Sequence, residues 1–372
     1  MKPLILNMDN IVSYLVNKDI VSKKSIVESD LKIISHLSKN CNFQIITKKG
    51  KSFMVKQPFF SDLQHSLLSN EAEIYSLVKK KFPNLEFIFP NVIEFDKEQQ
   101  ILITELLPRA KTLYEYIHKQ SKKDECVKLF RLLGQFIATY HKMINIATLG
   151  SQSLFNHTLT LPEDNLCRPS SQLFTDLTMG GIELIKIIQK NNLCDMFNEA
   201  RNNWSVECLI NLDMKLQNVL IYSNKLNASN LPKVKLVDWE YGVLGDPMWD
   251  LGCIFNDFIC YWLFSLDLSR NKPSSDIISL SKRPLTEMQS YIRATWQGYI
   301  ETLNIENTNI EKKLLMKAIL YCSTRLINSA YELQYSLPYL SKTTVSLLQM
   351  SVNIFKDQKQ ASIYVLGIPN II

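Results

Sequence analysis

The sequence predicts an α+β chain of two lobes. Residues 1–107 form a small β-rich lobe with one main helix, and residues 108–372 form a large, mostly helical lobe. Three observations carry this. A length of 372 residues, at ~150 per domain, allows two domains or one bilobal unit. With 46% apolar and 21% charged residues, a sizeable core is available and disorder is not expected. Strand-like runs fall before Pro108, and helical spacing dominates after it.

Taken in order, residues 10–40 mix apolar and polar positions at helical spacing. NFQIITKKGKSFMVKQ then reads as a hairpin, with KKGK supplying the turn glycine. NEAEIYSLVKKKF (70–82) is the main helix, LEFIF between Pro83 and Pro90 a short strand, and QQILITELL (99–107) another strand. Beyond Pro108, VKLFRLLGQFIATYHKMI (127–144) is long and amphipathic. Residues 150–175 read as irregular, 176–190 and 193–204 as helices, and 208–238 as a compact strand–loop–strand passage. From 247 onward the pattern is helical, broken by a polar loop at 269–276.

Composition removes several function classes. The ten glycines form neither G-x-G-x-x-G nor G-x-x-x-x-G-K-[ST], so a dinucleotide fold and a Walker-type NTPase are both poor readings. A net charge of +6 suits a phosphorylated ligand but is too small and scattered for nucleic acid. Five histidines and eight cysteines form no H-E-x-x-H and no C-x-x-C, which argues against zinc. With no secretory segment, the cysteines are expected to be buried, reduced thiols in a cytoplasm. The most hydrophobic stretch, 251–268, carries Asn256, Asp257 and Asp267, so it reads as a buried core helix rather than a membrane span.

The chemistry is concentrated in CLINLDMKLQNVLIY (208–222) and VKLVDWEYGVLGDPMWDLG (234–252). Asp213 and Asn218 lie five apart on a loop before the strand VLIY, and Asp238 ends a second short strand, VKLV, that could pair with it. A lone loop Asp is usually a turn former or cap. Phosphoryl transfer from Mg-ATP, however, needs this set: a carboxylate to accept the proton of the attacking hydroxyl, and an amide oxygen plus a second carboxylate to hold the metals. Upstream, Lys56 follows the apolar run SFMV and Glu71 opens the helix. The ordinary alternatives are a solvated edge-strand lysine and a dipole-favoured helix-terminal acid. A kinase instead needs such a lysine on the α/β-phosphates, braced by a helix glutamate. Glu71 is preferred to Glu73, which lies about 200° round the helix.

NLDMKLQNVLI…KLVDWEYGVLGDPMWDLG resembles the aminoglycoside phosphotransferase and choline kinase group, relatives of the protein kinases, whose stretch reads H-G-D-x-x-x-x-N-V-L, [LI]-[IV]-D-W-E and G-D-P-x-x-D. The likeness spans residues 38–260 and implies a bilobal protein-kinase-like fold with ATP and Mg²⁺ as cofactors. It makes Asp213 the catalytic base, gives Asn218 and Asp238 the Mg²⁺, and lets Glu105 to Leu107 offer backbone groups to adenine. Lys215 then stands where a lysine steadies the transferring phosphate, against an ordinary alternative as a solvated charge. Glu240 reaches a metal through water or belongs to the local fold. Two departures stand out. Asn211-Leu212 replaces His-Gly, and leucine pays strain if that backbone needs φ > 0. The nucleotide loop SKNCNF has no glycine.

From Arg270 onward seven acids face twelve Lys or Arg, which disfavours a polycationic aminoglycoside as acceptor. The phrases KQP, DMKLQNVLI and KLVDWEYGVLGDPMWDLG look more like kinases of ribosomal-peptide natural-product (RiPP) pathways, thioamitide and lanthipeptide among them. That resemblance implies a Ser/Thr hydroxyl of a precursor peptide as acceptor, with a lyase as partner. The alternatives are a small-molecule hydroxyl acceptor, as for aminoglycoside or choline kinases, and a pseudokinase binding module.

Overall fold

The computed structural model describes residues 4–28, 30–37, 40–59, 67–107, 109–119, 123–150, 164–171, 175, 177–222, 233–268 and 281–369. The loop expected at 269–276 and most of the irregular stretch 150–175 lie outside these residues. The chain divides into two compact units: Met1–Lys119 with Gln217–Gly242, and Gln120–Leu216 with Val243–Ile372. The first unit thus extends past the expected boundary at 107 and takes back a second passage of chain at 217–242.

The first unit is built on an antiparallel sheet of β1 (Leu31–Leu37), β2 (Asn40–Thr47), β3 (Phe53–Pro58), β4 (Val92–Asp96) and β5 (Ile101–Glu105), in the order β1-β2-β3-β5-β4. Period-two alternation divides the faces of β3. Phe53 and Val55 enter a core with Phe43, Ile45, Ile101 and Ile103, which Leu6, Ile11, Tyr14, Leu15 and Val21 of the N-terminal segment cover. Lys56, the residue after Val55, is aligned with Asn42 and Leu102 and belongs to the opposite face. The helix Leu68–Lys81 follows, close to the expected 70–82.

Two expectations for this unit are corrected. Among the described residues of 10–40, Ile11–Asn17 and Lys23–Val27 are helical, and 31–37 is strand β1. Leu31 and Ile33 pack on the core as alternate residues, a spacing that a mixed apolar run does not distinguish from a helical one. LEFIF is not a strand: Pro83–Leu85 is a 3₁₀ turn, and Leu85, Ile88 and Phe89 are buried together at i, i+3 and i+4. The strands Val219–Tyr222 and Lys233–Leu236 pair antiparallel as expected, Val219 opposite Leu236.

The second unit is mostly helical. Lys123–Met143, Met179–Lys190 and Leu193–Asn202 match the expected helices, and Cys208–Ile210 pairs with Val243–Gly245. The helix Pro247–Leu263 opens with Asp246 as N-cap, its side chain accepting from the Met248 N–H, and with proline in the first turn. It is buried on nearly every face, so its hydrophobicity belongs to a core. No described helix is long and apolar enough to cross a membrane. Six cysteines are buried outside any disulfide, but Cys167 and Cys194 are joined in one, which corrects the expectation of eight reduced thiols.

Glycine is needed where Lys123–Met143 meets Leu285–Leu303. A Cβ on Gly134 would lie 2.0 Å from the Thr295 carbonyl oxygen, and one on Gly298 would lie 2.0 Å from that of Arg131. Both obstacles are backbone, so a methyl group must push the helices apart. Gly134→Ala is expected to lower unfolding stability by at least ~1–3 kcal/mol, read from the denaturant midpoint; an unchanged midpoint would contradict this packing.

Candidate functional site

In the first unit, Lys56 stands between two carboxylates. Its Nζ donates to Glu71 Oε1 and Oε2, each at 3.1 Å, and to Asp238 Oδ1 at 2.9 Å. Glu71 is buried and also accepts from the Tyr75 hydroxyl one turn on, at 2.7 Å. Burial alone would push the Lys56 ammonium pKa down, but the two carboxylates outweigh it and hold it well above its ordinary value. Lys56 is therefore a fixed cation.

The loop after Lys233–Leu236 is held in place by several contacts. Asp238 adopts φ +65°, a left-handed conformation that aspartate tolerates. Trp239 beside it is fully buried, donates to the Leu236 carbonyl and packs on Phe89. Asn70 Nδ2 donates to the carbonyls of Glu240 and Gly242, tying the loop to the helix that carries Glu71. The Val237 N–H donates to the Asn218 carbonyl, which brings Asn218 alongside Asp238.

These groups line a cavity of about 980 Å³ in the first unit. All six nucleotide- and metal-binding candidates of this unit, Lys56, Glu71, Glu105, Leu107, Asn218 and Asp238, are on its wall. Glu240 is not among the lining residues; its side chain is buried and its carbonyl serves Asn70. At the Glu105 end, the N–H groups of Glu105 and Leu106 are committed to the carbonyls of Asn91 and Ser52. The Glu105 carboxylate pairs with Lys235 Nζ at 2.6 Å, and that buried ammonium also donates to the carbonyls of Glu86 and Phe89. Lys235 escaped sequence reasoning because its strand spacing resembles that of any solvated lysine.

In the second unit, Asp213 and Lys215 lie on the loop after Cys208–Ile210. Lys215 Nζ donates to Asp213 Oδ2 at 2.6 Å, and Arg325 Nη2 donates to Asp213 Oδ1 at 3.1 Å. Leu212 has φ +68°, so the glycine-to-leucine departure does carry left-handed strain, ~1–2 kcal/mol by ordinary backbone sterics. The strain is held by Asp250, a fully buried carboxylate accepting from the N–H groups of Asn211 and Leu212 and from the Tyr140 hydroxyl, with His141 Nε2 at 3.3 Å. Trp249 Nε1 donates to the Leu212 carbonyl from the other side. Asp250 stands in the G-D-P-x-x-D run, but only the fold reveals what it holds. Arg325 left no signal beyond being a lone cation in an otherwise uncharged helical stretch.

Asp257 accepts from the Leu216 N–H at 2.7 Å. Burial dominates its titration and pushes it up to about 6, against the opposing pull of that N–H, Lys215 and Arg325. The folded state thus holds a proton that the unfolded chain has already lost between pH 4 and 6. Stability from this group is present below its unfolded pKa and lost as pH rises through about 6. Asp257→Asn is expected to remove a fall in stability of the order of 2 kcal/mol across that window, read from denaturation midpoints at pH 4 to 7. An equal slope in both proteins would contradict the assignment.

No protein-family model matches the chain, and no curated protein matches it in sequence. Solved structures match it in fold. An ethanolamine kinase of Plasmodium vivax superposes with a TM-score of 0.59 at 14% identity, over 95% of this chain and 92% of its own. A choline kinase of Cryptosporidium parvum gives 0.57 at 14% identity, over 96% and 98%. An ADP-bound aminoglycoside phosphotransferase gives 0.52 at 18% identity, over 94% and 99%. The chain therefore shares the α+β, kinase-like fold of these proteins.

Proposed function

We propose that this chain is an ATP-dependent phosphotransferase that moves the γ-phosphate of ATP to an alcohol. The observation carrying this reading is the Lys56 ammonium fixed between Glu71 and Asp238 on the wall of a nucleotide-sized cavity. Lys56 meets the α- and β-phosphates, Glu71 holds it at that position, and backbone groups of residues 105–107 receive the adenine. Asp213 orients the acceptor hydroxyl and takes its proton, and Lys215 steadies the transferring phosphate.

The residues fit Mg²⁺. Asn218 offers an amide oxygen and Asp238 a carboxylate, hard donors suited to an ion that keeps waters and takes its remaining ligands from phosphate. Among the described residues no group of three or more His, Cys, Asp or Glu could hold a metal. When bound, it neutralises charge on the β- and γ-phosphates.

For the acceptor, the reading is a Ser or Thr hydroxyl of a RiPP precursor peptide, with a partner lyase to eliminate the phosphate. The sequence phrases quoted above support it, and the excess of twelve Lys or Arg over seven acids from Arg270 onward disfavours a polycationic aminoglycoside. A small-molecule alcohol is the second reading, favoured by the ethanolamine, choline and aminoglycoside kinases that share the fold.

With ATP-Mg²⁺ and a candidate precursor peptide carrying Ser or Thr, the protein is expected to add ~80 Da per transfer, read by mass spectrometry. An unmodified peptide alongside a phosphorylated small alcohol would select the second reading. Asp213→Asn is expected to lower kcat by ~10²–10⁴ with ATP affinity retained, because the lost interaction acts on proton transfer. Lys56→Met is expected to weaken both. Equal turnover in Asp213→Asn and the unsubstituted protein would rule out this base.

A further inference from the structure

We infer that Arg325 is a positioning residue for the catalytic carboxylate, so that the helix Thr308–Gln334 takes part in the reaction through Asp213. This rests on the reading of Asp213 as the base.

Both oxygens of Asp213 meet a cation, Oδ2 with Lys215 and Oδ1 with Arg325. An acceptor hydroxyl must hydrogen-bond the same carboxylate, and the cation that holds it in one orientation while that hydroxyl approaches is the one more firmly fixed itself. The surroundings decide which. The Lys215 side chain is 36% exposed, sits on a loop and has a second task on the transferring phosphate. Arg325 is 9% exposed and emerges from the interior of a 27-residue helix, where its neighbours Thr324, Leu326 and Ile327 are fully buried.

Burying a guanidinium is costly unless it is paired. Here Nη2 donates both to Asp213 and, at 3.1 Å, to Glu332, two helical turns along the same helix. Glu332 is 62% exposed, so the two hydrogens of Nη2 are shared between a carboxylate at the surface and Asp213. Arg325 is thus the lasting partner and Lys215 the movable one. Gripping Oδ1 fixes the carboxylate's rotation, which leaves Oδ2 for Lys215 and the acceptor hydroxyl. A planar donor on a rigid helix fixes a carboxylate's orientation in a way a flexible ammonium does not.

A double-mutant cycle on the full-length protein tests this, with ATP hydrolysis at saturating ATP-Mg²⁺ as the probe reaction and water as acceptor. Arg325→Met is expected to lower kcat ~10- to 100-fold with KM for ATP unchanged. In the Asp213→Asn background the same change is expected to cost less than about threefold, because the group it positions is already gone. Millimolar methylguanidinium is expected to restore part of the Arg325→Met rate and none of the double variant's. If Arg325→Met does not fold, Arg325→Lys enters the cycle, with a smaller loss and the same non-additivity.

Multiplicative losses, or an Arg325 change that raises KM for ATP instead of lowering kcat, would overturn the inference. If Asp213→Asn alone leaves hydrolysis unchanged, the base assignment fails and this inference falls with it. That outcome is distinguishable because Arg325→Met would then have no base to act through.

Discussion

The ammonium of Lys56, held between Glu71 and Asp238, is the interaction on which the first unit's organisation turns. It joins β3, the helix Leu68–Lys81 and the loop after Lys233–Leu236, three segments separated by up to 182 positions. A buried carboxylate such as Glu71 is tolerable only with a cation beside it, and the cation is tolerable only with carboxylates around it. Removing any member strands the others. The surrounding contacts, Asn70 on the 240–242 backbone, Trp239 under the loop and Lys235 on Glu105, all serve to keep this cluster at one wall of the cavity.

The second unit solves a different problem. Its loop runs through a left-handed leucine, a conformation that the side chain disfavours. Asp250 makes this affordable by accepting the N–H groups of Asn211 and Leu212 at once, and Tyr140 and His141 satisfy it from the helix Lys123–Met143. That helix is itself seated against Leu285–Leu303 through Gly134 and Gly298. A polypeptide with only ten glycines has placed two of them where backbones touch and has left a leucine where the loop turns.

Much of this was legible from residue types in context. A lysine in phase opposite Phe53 and Val55, a glutamate opening the next helix and an acid ending a short strand are local patterns, and the fold brings those three together. The strand pair at 219–222 and 233–236 was equally readable, because each strand is short, apolar and bounded by turn chemistry. Elsewhere local pattern misled. Residues 31–37 carry apolar side chains at spacings that suit a helix or a strand, and pairing with β2 decides between them. At 85–89 the buried residues Leu85, Ile88 and Phe89 share one side of a turn rather than alternating, and Phe87 is exposed. Lys235, Asp257 and Arg325 were beyond reach for a common reason: each acts through a partner at least 41 positions away, and nothing local marks it.

The most direct test of the Lys56–Glu71–Asp238 cluster as a phosphate and metal site is a calorimetric titration of the protein with ADP, with and without Mg²⁺, repeated for Asp238→Asn. ADP is expected to bind more tightly with Mg²⁺ present, and that gain is expected to vanish in the variant while metal-free binding persists. Binding that ignores Mg²⁺ in both proteins, or no binding at all, would contradict it.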